Sequence, residues 1–231
     1  MNQNKNDNDV SKDIDSDEEQ KPIITFDKLS YPLDDEDDKK RKIDICLEVI
    51  VKLTKFCHGI MIGGVVRDYF ILGHAAKDID LRFPSLDDIE RFFSLLKTIQ
   101  KVTVIESYQN KSRTLFVKRC RIAFEFSNCI CSFDVDITTK KNHSSIDYDF
   151  IANGITYDGE KFSFINNNDP SMLELALSHI EQKVMVPNPS LLIPSEQNKR
   201  RRECYLYRMS KFIERGWLIH DYDIILKAIQ E

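Results

Sequence analysis

Long apolar runs are missing from these 231 residues, and none approaches the roughly 20 needed to span a bilayer, so no membrane span is expected. The opening stretch, MNQNKNDNDVSKDIDSDEEQ, has no signal-peptide pattern, so no secretory leader is expected. It also lacks the apolar content to fold, and disorder is the expectation for residues 1–20. The six cysteines include no C-x-x-C pair, and Cys129-x-Cys131 is too close for a zinc finger. Free thiols in a reducing compartment are the simpler reading: cytosol, nucleus, or a cytoplasmic factory in a host cell. No internal repeat is present. An excess of one charge is missing from the body as well. Residues 1–38 hold 13 acids and four bases, and setting that −9 against the total of −5 leaves +4 for the remainder. A mildly basic body behind an acidic tail is compatible with a nucleic-acid partner.

What is present has the pattern of a mixed α/β unit. The apolar cluster Ile23-Ile24-Thr25-Phe26 is expected to dock on the body, and the acidic run Asp34–Asp38 to form a solvated loop. Ile43, Leu47, Ile50 and Thr54 recur at helical spacing and predict an amphipathic helix over 42–56. A short buried strand, His58–Ile62, meets Gly63-Gly64; a helix, Val65–Leu72, and a strand, Asp78–Phe83, follow. Ser85, with Asp88 three positions on, caps a helix running to about Gln100. Strands are expected at Val102–Glu106, Thr114–Lys118, Ile122–Phe126 and Ile130–Thr138. Beyond Ser145 the character turns helical. Phe150–Ile155 is ambiguous, Lys161–Ile165 reads as a strand, and Met172–Gln182 as a helix. Pro187, Pro189 and Pro194 mark a loop before a long helix, Ser195–Trp217, and a last one over Tyr222–Gln230.

The chemistry concentrates in Gly63 to Leu81, GGVVRDYFILGHAAKDIDL. Strand residues i and i+2 share a face, so Asp78 and Asp80 project together while Ile79 and Leu81 point into the core. Two adjacent carboxylates repel, and a dication relieves the repulsion; oxygen donors suit Mg²⁺ or Mn²⁺. Gly63 and Gly64, with no Cβ, let the backbone approach a phosphate at a helix N-terminus. Arg67 is placed to reach a phosphate or sugar, or to pair with Asp68 or a core carboxylate.

This ordered block resembles the head domain of the tRNA nucleotidyltransferase and poly(A) polymerase family, which carries a pattern like GGxVRDxxLGxxxxDxD. Gly63, Gly64, Val66, Arg67, Asp68, Leu72, Gly73, Asp78 and Asp80 match it, with one extra residue between Asp68 and Gly73 that is expected to be absorbed at the helix end. A second block, Phe133 to Thr139, is similar to the family's FEITT segment. It implies that Asp136 is the third carboxylate, with Asp134 as the fallback. A third, Asp149-Phe150-Ile151-Ala152-Asn153-Gly154-Ile155, resembles the end of RRDFTINAL and implies that Asp149 and Asn153 help bind the sugar or base. Asp147 and Tyr148 stand where the family has two arginines. The helix from Tyr207 to Trp217 resembles the family's neck helix. Arg208 matches one of its arginines, and Tyr205 stands in place of the one before it.

The resemblance covers residues 42–217 and implies an organisation. It comprises an acidic tail (1–40), a nucleotidyltransferase head with a small mixed sheet flanked by helices (41–168), and a short all-helical neck-like region (169–231). The implied activity is metal-dependent transfer of NMP from an NTP, ATP being the expected one, to an RNA 3′ end. Asp78, Asp80 and Asp136 would hold Mg²⁺ or Mn²⁺; Gly63, Gly64, Arg67, Asp149, Asn153 and Arg208 would hold the nucleotide. The family's long helical body has no room in this length, so simpler tailing, or RNA binding borrowed from a protein partner, is expected over CCA addition. Two alternatives stand beside it: a degenerate head that binds nucleotide or RNA without turnover, and NMP transfer to a non-RNA acceptor.

Overall fold

The computed structural model describes residues 36–75, 78–111, 115–140, 148–165, 170–188 and 196–223. The tail expectations for 1–20 and Ile23–Phe26, and those for Asp147, Pro189, Pro194 and the end of the last helix, lie outside them. In chain order the strands are β1 (Ile60–Ile62), β2 (Asp78–Phe83), β3 (Val102–Lys111), β4 (Leu115–Glu125), β5 (Ile130–Lys140), β6 (Ile155–Tyr157), β7 (Phe162–Phe164), β8 (Val184–Met185) and β9 (Leu218–Ile219). The α-helices are α1 (Glu36–Phe56), α2 (Leu86–Thr98), α3 (Pro170–Glu181) and α4 (Glu196–Glu214).

Seven strands form one sheet in the order β3-β4-β5-β2-β1-β6-β7. The pairings are antiparallel except β2 with β5, which run parallel. The architecture is the expected mixed α/β head, a mixed sheet flanked by helices. Side-chain period two gives the sheet two unlike faces. On one, Ile79, Leu81, Val135, Ile137 and Ile122 are fully buried under α1 and α2. Leu47, Ile50 and Leu53 of α1 and Phe92 and Leu96 of α2 fill that layer, and Phe83 meets Phe92 with ring centroids 5.3 Å apart. The other face carries the acids of β2 and β5 and Arg119 and Arg121 of β4, whereas Lys118 lies on the core side with its ammonium 4.2 Å from the Phe93 ring centroid.

Several elements differ from the expectations, each for a local reason. Helix α1 begins at Glu36, so the second half of the acidic run is helical. Its acids sit in the first turn, where the helix dipole favours negative charge, and Asp38 pairs with Lys42 at 2.8 Å. Thr114–Lys118 and Ile122–Phe126 are not two strands, because β4 runs on through Arg119-Cys120-Arg121. Phe150–Ile155 resolves into a 3₁₀ turn, Ile151–Gly154, followed by β6. Ser85 does cap α2, its hydroxyl accepting the Asp88 N–H at 3.1 Å.

Among the described residues after 169 lie α3 and α4 and, where an all-helical region was expected, the parallel pair β8 with β9. Helix α4 ends in a left-handed turn at Gly216 (φ 77°), a conformation that costs glycine little. That turn folds Trp217 back onto Phe212, with centroids 5.8 Å apart. Phe150 in turn meets Tyr205 at 4.9 Å and Phe212 at 5.5 Å, so α4 shares the head's apolar core. No helix among the described residues is long and apolar enough to cross a membrane.

The two-faced sheet makes a direct prediction for β5. Ile137→Ala should lower unfolding free energy by about 2–5 kcal/mol, whereas exposed Ser132→Ala should stay within about 0.5 kcal/mol. Urea denaturation with unchanged m-values measures both; equal losses would contradict the assignment of faces.

Candidate active site

The register of β2 on β5 places Asp78 opposite Asp134 and Asp80 opposite Asp136. Since Ile79, Leu81, Val135 and Ile137 are buried, all four carboxylates emerge on the opposite face. Asp78 is exposed and Asp80 half-buried. Burial first, and then the neighbouring charges of Asp78 and Asp136, push the Asp80 carboxyl up to about 6, with Arg208 and Arg119 offsetting part of the rise. The register sets Asp136 directly beside half-buried Asp80, and Asp134 beside exposed Asp78. Asp78, Asp80 and Asp136 are thus brought to one patch, while the fallback Asp134 lies one step further out.

Two arginines of β4 meet this face, and the sequence reading missed them. Arg119 clasps Asp136 with both ends of its guanidinium, Nε to Oδ1 and Nη2 to Oδ2 at 2.6 Å each. Arg121 does the same to Asp134 at 2.8 and 3.2 Å, and those hydrogen bonds hold the Asp134 carboxyl below its usual range. A signal existed: Arg119-x-Arg121 mirrors Asp134-x-Asp136, the alternation that opposite-charge cross-strand pairs require.

Gly63 borders the cluster on the β1 side. Its φ is +71°, and a Cβ built there would lie 2.9 Å from Asp80 Oδ2. Glycine is therefore required twice, by the backbone turn and by the carboxylate that fills the space. Gly64 has ordinary helical angles and opens the next segment without a side-chain cap. That segment, Val65–Ile71, is wound as a π-helix where an α-helix was expected. The Leu72 N–H donates to the Arg67 carbonyl at 3.2 Å, a five-residue step. Asp68 and Gly73 are joined through this wider winding.

The four side chains expected to face the nucleotide form one polar network. Arg67 is buried, donates from Nε and Nη2 to Asp68 at 2.6 and 2.7 Å, and donates from Nη1 to the Asn153 side-chain oxygen. Its guanidinium also lies over Phe212 (4.8 Å) and Trp217 (5.5 Å). Of the alternatives for Arg67, the pairing with Asp68 is the one seen. Asn153 Nδ2 donates to Asp149 Oδ1 at 2.7 Å, and Arg208 donates to Asp149 Oδ2. The Asp149 carbonyl accepts the Asn188 N–H at 2.7 Å and the Tyr205 hydroxyl. Tyr205 thus bonds the same residue as Arg208. Tyr148 packs edge-on against Phe164 at 5.1 Å.

The donor set suits a hard divalent cation. It is all oxygen, and the raised proton affinity of Asp80 marks negative charge that a cation would relieve. Asp136 enters that set with both oxygens held by Arg119. Among the described residues, no three His, Cys, Asp or Glu side chains are gathered closely enough to grip an ion as they stand.

No protein-family model and no curated protein matches the chain. Solved structures resemble its fold. One is the Thermotoga maritima CCA-adding enzyme complexed with tRNA, at 15% identity and a TM-score of 0.51, covering 82% of this chain and 42% of that one. Another, described as a tRNA-processing enzyme in an apo form, gives 16% identity and a TM-score of 0.50 over 88% of this chain and 49% of its own. The chain therefore spans less than half the length of either. At these identities the likeness establishes the fold alone, a mixed sheet flanked by helices.

The position of Asp80 sets a pH dependence in metal-free buffer. Its folded value, about 6, lies above the ordinary 3.8. Stability held by the protonated form is then fully present below pH 3.8 and is lost as pH rises through about 6. Asp80→Asn should consequently stabilise the protein at pH 7.5 by up to about 3 kcal/mol, at 1.36 kcal/mol per unit, with little gain at pH 3.5. Denaturant titrations at both pH values test this; a destabilised variant at pH 7.5 would overturn it.

Proposed function

We propose that the chain is a divalent-metal-dependent nucleotidyltransferase that moves NMP from an NTP, ATP being the expected one, to an RNA 3′ end. The observation that carries the reading is the register-locked patch of Asp78, Asp80 and Asp136 on a nucleotidyltransferase fold. Gly63 leaves the Asp80 carboxylate room at the edge of β1, and the Asp149–Arg208 pair lies close enough for Arg208 to act electrostatically on Asp80.

In this reading Asp78, Asp80 and Asp136 hold Mg²⁺ or Mn²⁺, which when bound neutralises the triphosphate and favours the ionised 3′-hydroxyl. The protein's own part is positioning. Ionised Asp80 is the major form above about pH 6, so the patch is anionic at neutral pH. Asp149 fixes Arg208 at the edge of the cleft, where its charge can face a phosphate while Asn153 ties the pair to Arg67. Van der Waals and hydrogen-bond constraints of this kind suit phosphoryl chemistry, which depends on placement and charge more than on covalent help. Arg67 then serves by holding Asn153 and α4 in place.

A second reading, nucleotide or RNA binding without turnover, is favoured by one observation: both oxygens of Asp136 are engaged by Arg119. Incubating the purified chain with a short RNA, labelled NTPs one at a time, and Mg²⁺ or Mn²⁺ separates the two. Transfer is expected with wild type and should fall by at least about 10³-fold in Asp78→Ala/Asp80→Ala, the scale of a lost electrostatic centre. Nucleotide-induced thermal stabilisation with no extended RNA would favour the binding reading. Extension that survives the double substitution would remove the assigned site.

A further inference from the structure

We propose that Arg119 is a displaceable stand-in for the metal cation at Asp136, so that loading the site and opening the Arg119 fork are one event. The inference rests on the assignment of Asp78, Asp80 and Asp136 as the metal carboxylates. Three observations carry it. Arg119 takes one acceptor site on each Asp136 oxygen at 2.6 Å, so a cation can chelate both oxygens together only by parting the fork. Asp136 sits directly across from Asp80, so a cation bound between β2 and β5 reaches both carboxylates. The Arg119 side chain is 61% exposed against 29% for Asp136, so the guanidinium can swing into water while the carboxylate stays.

The neighbouring pair supplies an internal comparison. Arg121 grips Asp134 with the same fork on the same two strands. Asp134 faces Asp78 at the open end of the patch and its side chain is 55% exposed, whereas Asp136 faces half-buried Asp80, so opening the Arg121 fork adds no carboxylate beside Asp80. The two arginines therefore have different work. Arg121 compensates a carboxylate permanently, and Arg119 compensates one until a cation replaces it. Once released, Arg119 remains anchored on β4 beside the patch. Its charge, fixed at any working pH, then faces whatever anion accompanies the cation, and a triphosphate is the anion of the proposed reaction. The fork lowers apparent metal affinity by the fraction of molecules in which it is closed.

The test is a Mn²⁺ titration followed by electron paramagnetic resonance of the free ion, without nucleotide or RNA. Arg119→Gln should tighten Mn²⁺ binding by roughly three- to tenfold, the range of an exposed to a partly covered bidentate pair. Arg119→Lys keeps the charge but loses the fork, and should tighten binding as well. Arg121→Gln should change it by less than about twofold. In an Asp136→Asn background, Arg119→Gln should have no effect. An unchanged affinity in Arg119→Gln, equal tightening in Arg121→Gln, or an effect that persists with Asp136→Asn would each overturn the proposal.

Failure of the underlying site is read separately: Mn²⁺ binding that is indifferent to Asp78→Asn/Asp80→Asn would remove the metal site itself, and with it this proposal. Should the Arg119 variants not fold, ¹⁵N-labelled wild type answers the same question. On Mg²⁺ titration the Arg119 Nε–Hε signal should move from its hydrogen-bonded position to that of a free guanidinium. A signal that stays fixed at Mg²⁺ saturation would overturn the exchange.

Discussion

The parallel pairing of β2 with β5 is the constraint on which the molecule turns. Its register sets Asp78 against Asp134 and Asp80 against Asp136, while Ile79, Leu81, Val135 and Ile137 are forced together on the opposite side. The same alternation therefore builds the core and the acidic patch. A slip of β2 by one residue would bury Asp78 and Asp80 and expose Ile79 and Leu81, a change no domain of this size could absorb. The apolar layer beneath thus fixes where the charges stand, so the geometry of the patch is inherited from packing that has nothing to do with chemistry.

A second constraint joins α4 to this sheet. Asp149 accepts hydrogen bonds through its side chain from Phe150, Asn153 and Arg208, and through its carbonyl from Asn188 and Tyr205. Asn153 passes the connection to Arg67, and Asp68 passes it to Arg215 at the end of α4. Charges this covered are tolerated because each is met by several partners, and removing one partner would strand the rest. The aromatic layer of Phe150, Tyr205, Phe212 and Trp217 closes over the network and keeps water from competing with it. Arg208 is the member that stays half outside, and it is also the one whose charge is felt at Asp80.

How much of this was legible depended on range along the chain. Asp78–Phe83, the Ser85 cap and the acids of β5 could be read because each signal lies within a few residues. The winding of Val65–Ile71 could not, since an apolar run next to a glycine pair fits α and π geometry alike; only the five-residue bond from Leu72 to Arg67 separates them. The start of α1 was missed because acids in a row suggest solvation until a helix places them at its positive end. Arg119 and Arg121 were overlooked as the seam between two strands. Their meaning appears only when β4 is laid beside β5, a relation between residues 13 and 17 positions apart. Arg67 illustrates the limit from the other side: motif position alone left its contact with Asp68 and its contact with a ligand equally open.

The distribution of proton affinity across the patch argues for a cationic ligand independently of any resemblance. Moving from β4 toward β1, Asp134 is held ionised by Arg121, whereas Asp80 resists ionisation because burial and two like charges surround it. A surface shaped for stability alone would relieve that site, most simply with an amide of the same size. Instead the fold keeps the carboxylate and also keeps Gly63 without a Cβ, so that the carboxylate has room. Space and charge are both maintained at a stability cost, at the junction of β1, β2 and β5. Perturbed carboxylates at a junction of elements are where function is concentrated, because the energy they withhold from folding becomes available to whatever binds them. With oxygen donors only and negative charge that Arg119 and Arg208 relieve in part, the divalent cation of the proposed function is a ligand that would recover much of that energy.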